Sequence, residues 1–184
     1  MNYTIRPATP ADVNGITQVA HYTWDITYAQ SVTAHNRRQF LDRAYNAQAL
    51  REAIGRERGW FFVALHPETV VGFAQYVRRF DGQGELVRVY VHPDHQRRGI
   101  GSGFLAIGLA KMAATGIHEC YVSVEANNAA ACAFYERFGF HPHREYAHFL
   151  GDQIIRLVEY SASGPSLLGG AGLATIFTTG HFAK

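Results

Sequence analysis

The feature that most restricts the fold of this 184-residue chain is a glycine-rich turn between a β-like segment and a helical one. The apolar segment ends at Val91, the turn spans 96–102, and an apolar helical pattern continues to about Ala114. The first N–H groups of a helix lack partners within it, and together with N–H groups of the turn they form a site for an anion. Because glycine has no Cβ, a bulky phosphate can approach its backbone. The turn therefore predicts a strand–turn–helix unit that holds a phosphate group.

Arginine dominates the basic residues: 15 of the 17 are arginine, and the formal net charge is only +2. The guanidinium group binds phosphate through two parallel hydrogen bonds, which a lysine cannot do. Arg97 and Arg98 stand directly before the first glycine, Gly99, where they add positive charge to the turn. The small net charge gives no indication of a nucleic-acid partner, for which a strongly basic balance is expected.

The composition is that of an ordinary globular domain, with 47% hydrophobic and 17% charged residues. No apolar run approaches the roughly 20 residues that span a bilayer. No apolar stretch follows the N-terminus as in a secretory signal. Cys120 and Cys132 fit neither a disulfide framework nor a zinc pattern. We therefore expect a cytoplasmic protein with free thiols, no membrane partner and no bound metal.

The rest of the chain alternates between helical and strand-like patterns, which predicts the α/β (α+β) class. Three strands, expected near 60–65, 70–77 and 85–91, have no helix between them, so we expect an antiparallel meander. Helices are expected near 10–28, 34–41, 47–58, 100–114 and 128–137, and further strands near 3–6, 120–124, 144–149 and 153–160.

Two other phosphate-binding turns are alternatives for residues 96–102. A dinucleotide-binding turn has the spacing Gly-x-Gly-x-x-Gly, whereas the third glycine here, Gly103, comes one residue early. Glu125 ends the next predicted strand, where that turn expects a ribose-binding acid, so a dinucleotide-dependent oxidoreductase stays open. A nucleoside-triphosphate P-loop is excluded because no Lys-Ser or Lys-Thr pair follows the glycines.

Two motifs, in the same order, resemble those of the GCN5-related N-acetyltransferase (GNAT) superfamily. The first is the Gln/Arg-x-x-Gly-x-Gly/Ala signature, here residues 96–101, after a strand that ends with Val-Tyr-Val-His-Pro at 89–93. The second resembles Asn-x-x-Ala-x-x-Phe-Tyr and covers residues 128–135. The similarity extends from about Tyr3 to Tyr160.

The resemblance implies one domain, residues 1–160, with a strongly twisted mixed sheet and helices on both faces. Strand four, ending at Val91, and strand five, ending near Val124, are expected to splay apart and hold the pantetheine arm of acetyl-CoA. The resemblance also implies the residues that contact this molecule. They are Val89, Tyr90 and Val91 along the arm, Gln96, Arg97, Arg98, Gly99, Ile100, Gly101 and Ser102 around the pyrophosphate, and Asn128 near the thiol.

Acetyl transfer to an amine needs an amine without its extra proton, donors for the oxyanion and a proton for the leaving thiolate. Tyr135 matches the position at which the family commonly carries a tyrosine acid for the thiolate; packing beneath the cofactor helix is the alternative. Glu85 lies six residues before Val91, which in a regular strand places both on one face. The position of Glu85 resembles the general-base glutamate of the histone-type branch, and ordered water is the alternative base.

Trp24 and Tyr28 stand four residues apart, so they share one face of the first helix. In the family this region borders the acceptor site, and the resemblance implies an aromatic wall there; core packing is the alternative for at least one of them. The expected acceptor is the primary amine of a small molecule or of a protein N-terminus. The alternative function is a non-catalytic module that binds acyl-CoA.

Residues 161–184 are rich in Gly, Ser, Thr and Ala and lie beyond the similarity. Five large apolar residues are scattered among them, and each fully buried one contributes about 1.5–3 kcal/mol. That gain offsets the entropy lost when a glycine-rich segment becomes ordered. We therefore expect a homodimer in which this segment contacts the partner subunit, with an unattached tail as the alternative. The five residues are Leu167, Leu168, Leu173, Ile176 and Phe177.

Overall fold

The computed structural model describes residues 3–163, which form a seven-stranded sheet and five α-helices. The strands are β1 (Thr4–Pro7), β2 (Gly59–Leu65), β3 (Val70–Arg78), β4 (Gly84–Val91), β5 (Glu119–Glu125), β6 (His141–Leu150) and β7 (Gln153–Ser163). The helices are α1 (Val13–Thr27), α2 (Ala34–Ala44), α3 (Ala47–Ile54), α4 (Ile100–Ala114) and α5 (Ala129–Arg137). The predicted α/β class is confirmed.

The strands lie in the order β1-β2-β3-β4-β5-β7-β6, which makes the sheet mixed. β2, β3 and β4 pair antiparallel, so the predicted meander is confirmed. β4 and β5 are parallel, and α4 makes the crossover that such a pair requires. β7 pairs antiparallel with β5 and places β6 at the edge.

Helices cover both faces of the sheet, as expected. One hydrophobic cluster lies between the sheet and α4 and α5, and a second lies between the sheet and α1, α2 and α3. α4 sits close to the sheet because Gly108 has no side chain: a Cβ there would lie 2.2 Å from the Tyr76 ring. The Tyr76 hydroxyl donates a hydrogen bond of 2.9 Å to the carbonyl of Phe104. This contact fixes α4, and with it the glycine-rich turn, against β3.

A bulge interrupts β4 at Val87. Tyr76 pairs with Leu86 but its neighbour Gln75 pairs with Arg88, so Val87 is an extra residue in the ladder. Beyond the bulge the alternation of faces is reversed: Leu86 and Val89, three apart, both pack toward α4 and α5. The expectation that Glu85 and Val91 share a face is therefore wrong.

Two elements, α3 and β7, end at residues other than those predicted from the sequence. α3 ends at Ile54, before Gly55, whereas the pattern suggested a helix to residue 58; glycine is a poor helix former. β7 continues to Ser163, which pairs with Glu119, three residues beyond the strand end predicted near residue 160. The apolar residues of the predicted dimer contact lie outside residues 3–163. No helix within 3–163 has the length and apolarity to cross a membrane.

Candidate active site

The sheet opens between β4 and β5. The two strands pair only from Gly84 and Cys120 to Leu86 and Val122, and beyond that point they separate. The separation opens a cavity of about 1070 Å³ between the strands, with the glycine-rich turn at one end. The backbone of β4 after Leu86 keeps its pairing to β3 but has no strand on its other edge. The predicted splaying of strands four and five is confirmed.

Most of the residues implied by the resemblance come together on the wall of this cavity. Those on the wall are Tyr28, Val89, Tyr90, Val91, Gln96, Arg97, Gly99, Ile100, Gly101, Ser102, Asn128 and Tyr135. Three others, Trp24, Glu85 and Arg98, do not line it. The sequence motifs therefore locate one site in the fold, with three residues placed outside it.

The turn before α4 contains two residues in the left-handed conformation. Gly99, the N-cap of α4, has φ +85°, and Arg97 has φ +56°. Within residues 3–163, Arg97 is the one non-glycine residue with positive φ. Such a conformation costs of order 1–3 kcal/mol and is found mainly at functional sites. The change of φ sign over 97–99 turns successive N–H groups toward one point, a geometry that binds anions.

The start of α4 adds more N–H groups to the turn. The N–H of Gly103 is the first to reach back along the helix, to the Gly99 carbonyl at 2.8 Å. The N–H groups of 100–102 precede it and have no acceptor within the helix, and all three residues line the cavity. A Cβ on Gly99 would lie 3.2 Å from the hydroxyl oxygen of Tyr3, a tight contact that requires the Tyr3 side chain to shift slightly.

Gln96 ties the turn to the end of β4, because its side-chain amide donates to the Val91 carbonyl at 3.0 Å. The Gln96 side chain thus bonds to the backbone of β4 and fixes the position of the turn relative to that strand. Arg98 lies beside His95, and burial followed by the charge of Arg98 lowers the pKa of His95 below its ordinary value. Arg97 is the arginine of the pair that reaches the cavity wall.

The residues of the cavity fit acetyl-CoA. That molecule combines an amide-containing arm with phosphate groups, and the cavity combines an unpaired strand edge with a cluster of free N–H groups. Asn128 caps α5, and its side-chain oxygen accepts from the Ala131 N–H at 3.1 Å. This cap holds the start of α5 against the open end of β5. Within residues 3–163 no group of three potential metal ligands is present.

Tyr135 lies on α5 at the cavity wall, with its side chain only 4% exposed. The rings of Phe134 and Phe140 hold it at centroid distances of 5.2 and 5.6 Å. Burial raises the pKa of Tyr135 far above its ordinary value, and nearby Cys120 adds to the shift. The hydroxyl therefore keeps its proton at neutral pH and forms no hydrogen bond to another residue of 3–163.

Glu85 lies in the paired part of β4, opposite Tyr121 of β5, where the two strands have not yet separated. Burial raises the pKa of Glu85, while the charge of Arg79 lowers it and that of Glu159 raises it further. Its neighbours are therefore other charged side chains rather than the cavity. The physical reason for this placement is that Glu85 precedes the point, after Leu86 and Val122, at which the two strands separate.

Trp24 and Tyr28 share a face, as predicted, but only Tyr28 reaches the cavity. The Trp24 ring is 6% exposed and packs 4.3 Å from the Phe40 ring and 4.4 Å from the Tyr28 ring. Trp24 thus packs against Tyr28 on the side away from the cavity. Burial raises the pKa of Tyr28 to about 12, with a smaller opposing effect of its hydrogen bond to Tyr90.

The cavity wall also includes residues that the motifs do not mark, among them Thr27, Arg88 and Phe134. Arg88 is held by its Nε, which donates to Gln75 Oε1 at 2.7 Å, and its guanidinium lies 4.8 Å from the centre of the Tyr45 ring. The alternation Arg88–Tyr90 on β4 is a signal that could have placed Arg88 on the same wall as Tyr90. The position of Thr27 depends on how α1 packs, which no local pattern records.

A sequence profile described as the acetyltransferase (GNAT) family matches residues 20–140 of the chain. The match includes the separated strands, the turn and the whole of α5.

Two kinds of relative are similar in sequence. The spermidine N(1)-acetyltransferase of Thermoplasma acidophilum is 26% identical over 144 residues, which cover 76% of this chain and 89% of that protein. The mycothiol acetyltransferase of Gordonia bronchialis is 36% identical over 105 residues, which cover 52% of this chain and 33% of that protein. The chain thus spans about a third of the length of that second relative.

Solved structures have the same fold. The PaiA N-acetyltransferase of Thermoplasma acidophilum in complex with coenzyme A has a TM-score of 0.76 and 24% identity, covering 86% of this chain and 98% of that one. The putative acetyltransferase yncA of Salmonella typhimurium with acetyl-CoA has a TM-score of 0.62 and 25% identity, covering 89% and 94%. These agreements leave no support for the dinucleotide-dependent oxidoreductase that the spacing of the turn kept open. The chain belongs to the GNAT family and is an acetyltransferase.

Proposed function

We propose that the protein transfers the acetyl group of acetyl-CoA to the primary amine of a small molecule or of a protein N-terminus. The observation that carries the proposal is the separation of β4 and β5 after Leu86 and Val122, with the anion-binding turn at one end of the opening and Tyr135 on its wall. Acetyl-CoA supplies an activated acyl group as a thioester.

The turn at 97–102 holds the pyrophosphate through its N–H groups and Arg97. The unpaired edge of β4, residues 89–91, pairs with the pantetheine amides as a further strand does. Its free N–H groups are also the nearest donors for the oxygen on which negative charge develops. Asn128 contacts the molecule near the thiol end.

Tyr135 acts as the general acid. The leaving thiolate has a pKa near that of a cysteine, about 8.5. As the C–S bond breaks, the Tyr135 hydroxyl donates its proton to the sulfur, and the proton that the attacking nitrogen loses returns through water to the phenolate. The proposal is supported by the buried position of Tyr135 on the cavity wall and by the raised pKa that keeps its hydroxyl protonated.

The amine reaches the cavity as an ammonium ion, because alkylamines have a pKa of about 10.4. Its proton leaves through water, since Glu85 lies in the paired part of β4 and off the cavity wall. Tyr28 forms the wall on the side of α1. The names of two relatives, a spermidine and a mycothiol acetyltransferase, support small molecules with an amine as the first acceptors to test.

Isothermal titration tests the donor side of the proposal. We expect acetyl-CoA to bind the protein with one site per chain and NAD to give no heat of binding. Binding of NAD in place of acetyl-CoA would contradict the assignment of the turn to the pyrophosphate of acetyl-CoA.

A further inference from the structure

Three carboxylates are buried among residues 3–163, and two of them are paired with arginine. Asp12, 6% exposed, accepts hydrogen bonds from Arg6 at 2.7 and 2.8 Å. Glu159, also 6% exposed, accepts from Arg144 at 2.8 Å and lies 3.6 Å from Arg79. These pairs satisfy the rule that a buried charge needs a compensating partner.

Glu125 is the third, and no arginine, lysine or histidine among residues 3–163 forms an ion pair with it. Its side chain is 8% exposed, and within residues 3–163 its only hydrogen-bond partner is a neutral hydroxyl, that of Ser31, at 3.1 Å. The two residues are 94 positions apart in sequence, so the contact is made by the fold. Removing a carboxylate from water without a positive partner costs free energy, and within residues 3–163 the hydrogen bond from Ser31 offsets only part of that cost.

The surroundings of Glu125 form a recess of about 540 Å³ between the segment after α1 and the turn before α5. Its remaining lining is uncharged and includes Gln30, Ser31 and Asn127. The recess shares Thr27, Asn128 and Ala130 with the larger cavity, so the two adjoin.

The position of Glu125 on β5 places its carboxylate on the acceptor side of the opening. Val122 and Val124 pack toward α4 and α5, so Glu125, one residue further, lies on the opposite face, toward α1. This is also the face of Tyr28, where burial raises the pKa of the hydroxyl and the charge of Glu125 adds to the shift. An ammonium group in the recess would meet the Glu125 carboxylate among uncharged side chains, with Tyr28 on the wall of the adjoining cavity.

We propose that Glu125 is the residue that recognises the ammonium group of the acceptor. The inference rests on the proposed amine acetyltransferase, and it gives Glu125 a binding role rather than the role of a general base. The absence of a cation beside Glu125 is then explained by the acceptor, which brings the positive charge with it.

Glu125→Gln tests this role, with Glu119→Gln as the matched control. Both changes remove one negative charge from β5, but Glu119 lies at the paired end of the strand, opposite Ser163, and lines neither cavity. The first probe is n-butylamine, a simple primary amine, used with acetyl-CoA in a thiol-release assay. For Glu125→Gln we expect the KM for n-butylamine to rise at least about 10-fold, with kcat within about 3-fold of wild type, since loss of a buried charge pair weakens binding by this much or more. Glu119→Gln should leave both values unchanged.

The second probe is N,N-dimethylbutylamine, a protonated tertiary amine that forms no stable amide, titrated into the protein saturated with coenzyme A. Its dissociation constant should rise at least about 10-fold in Glu125→Gln and stay at the wild-type value in Glu119→Gln. This measurement needs no catalysis, so it tests ammonium recognition by Glu125 separately from the proposed acetyl transfer. If wild type releases no thiol with any amine, the proposed function fails, while binding of the tertiary amine still tests Glu125.

Thermal unfolding separates recognition from a structural role. Replacing an uncompensated buried carboxylate with a neutral amide should leave the Tm of the free protein unchanged or raise it. A lowered Tm with unchanged KM and unchanged binding of the tertiary amine would assign Glu125 to the fold and overturn the proposal. A fall in kcat without a change in KM would also overturn it, because that result identifies a base.

Discussion

Leu86 and Val122 form the last backbone pair between the parallel strands β4 and β5. The next residue of β4, Val87, is the extra residue of a bulge, so the strand changes its course where it loses its partner. The end of the pairing and the bulge together leave the edge of β4 exposed to the cavity. The site is thus a consequence of sheet geometry, with the glycine-rich turn added at its end.

The anion-binding turn is tested by Gly99→Asp, with Gly116→Asp as the matched control. Both glycines have positive φ, +85° and +77°, so both variants carry similar backbone strain. Only Gly99 lies in the cavity, and a carboxylate there adds a Cβ and a negative charge beside the phosphates.

By isothermal titration, Gly99→Asp should weaken acetyl-CoA binding by more than about 2 kcal/mol, roughly 30-fold. Gly116→Asp should bind as wild type does. Equal affinity in a folded Gly99→Asp would remove the turn from the binding site.

The acid role of Tyr135 is tested by Tyr135→Phe, which keeps the ring and deletes the hydroxyl. We expect kcat to fall roughly 100-fold, with acetyl-CoA affinity close to that of wild type. Tyr160→Phe is the control: this buried ring lies 6.5 Å from that of Tyr135, and its hydroxyl donates to Glu136 outside the cavity. Wild-type turnover in Tyr135→Phe would show that the hydroxyl has no catalytic role and that Tyr135 contributes only by packing.

The pH dependence of kcat follows from the raised pKa of Tyr135. A tyrosine with its ordinary pKa of about 10 would begin to lose its proton above pH 9. Since burial raises the pKa of Tyr135, its acid form persists beyond that range. The pH profile of kcat should therefore show no fall up to about pH 10, and a fall centred near pH 8 to 9 would exclude Tyr135 as the acid.

The strand meander and the turn could be predicted from local patterns, because strands without helices between them pair with their neighbours and glycine marks the turn. The bulge could not, since Leu-Val-Arg-Val-Tyr-Val at 86–91 alternates like a regular strand. The insertion of β7 between β5 and β6 was equally hidden. The contact of Glu125 with Ser31 joins segments 94 residues apart, and only the packed fold reveals that no cation of residues 3–163 pairs with Glu125.

Glu85→Gln tests whether Glu85, which lies off the cavity wall, takes part in catalysis. With its carboxylate off the cavity wall and influenced by Arg79 and Glu159, we expect kcat to stay within about 3-fold of wild type across the pH range. The comparison is made at saturating amine and acetyl-CoA. A loss of about 100-fold, with loss of the acidic limb of the pH profile, would identify Glu85 as the general base after all.

The proposed function requires an amine that takes up the acetyl group. Thiol release from acetyl-CoA, measured over a panel of primary amines with the acetylated product identified by mass, tests this directly. We expect thiol release that depends on the amine, saturates with it and yields one acetylated amine per thiol released. Tight binding of acetyl-CoA with no amine-dependent release from any member of the panel would contradict it and indicate a module that only binds acyl-CoA.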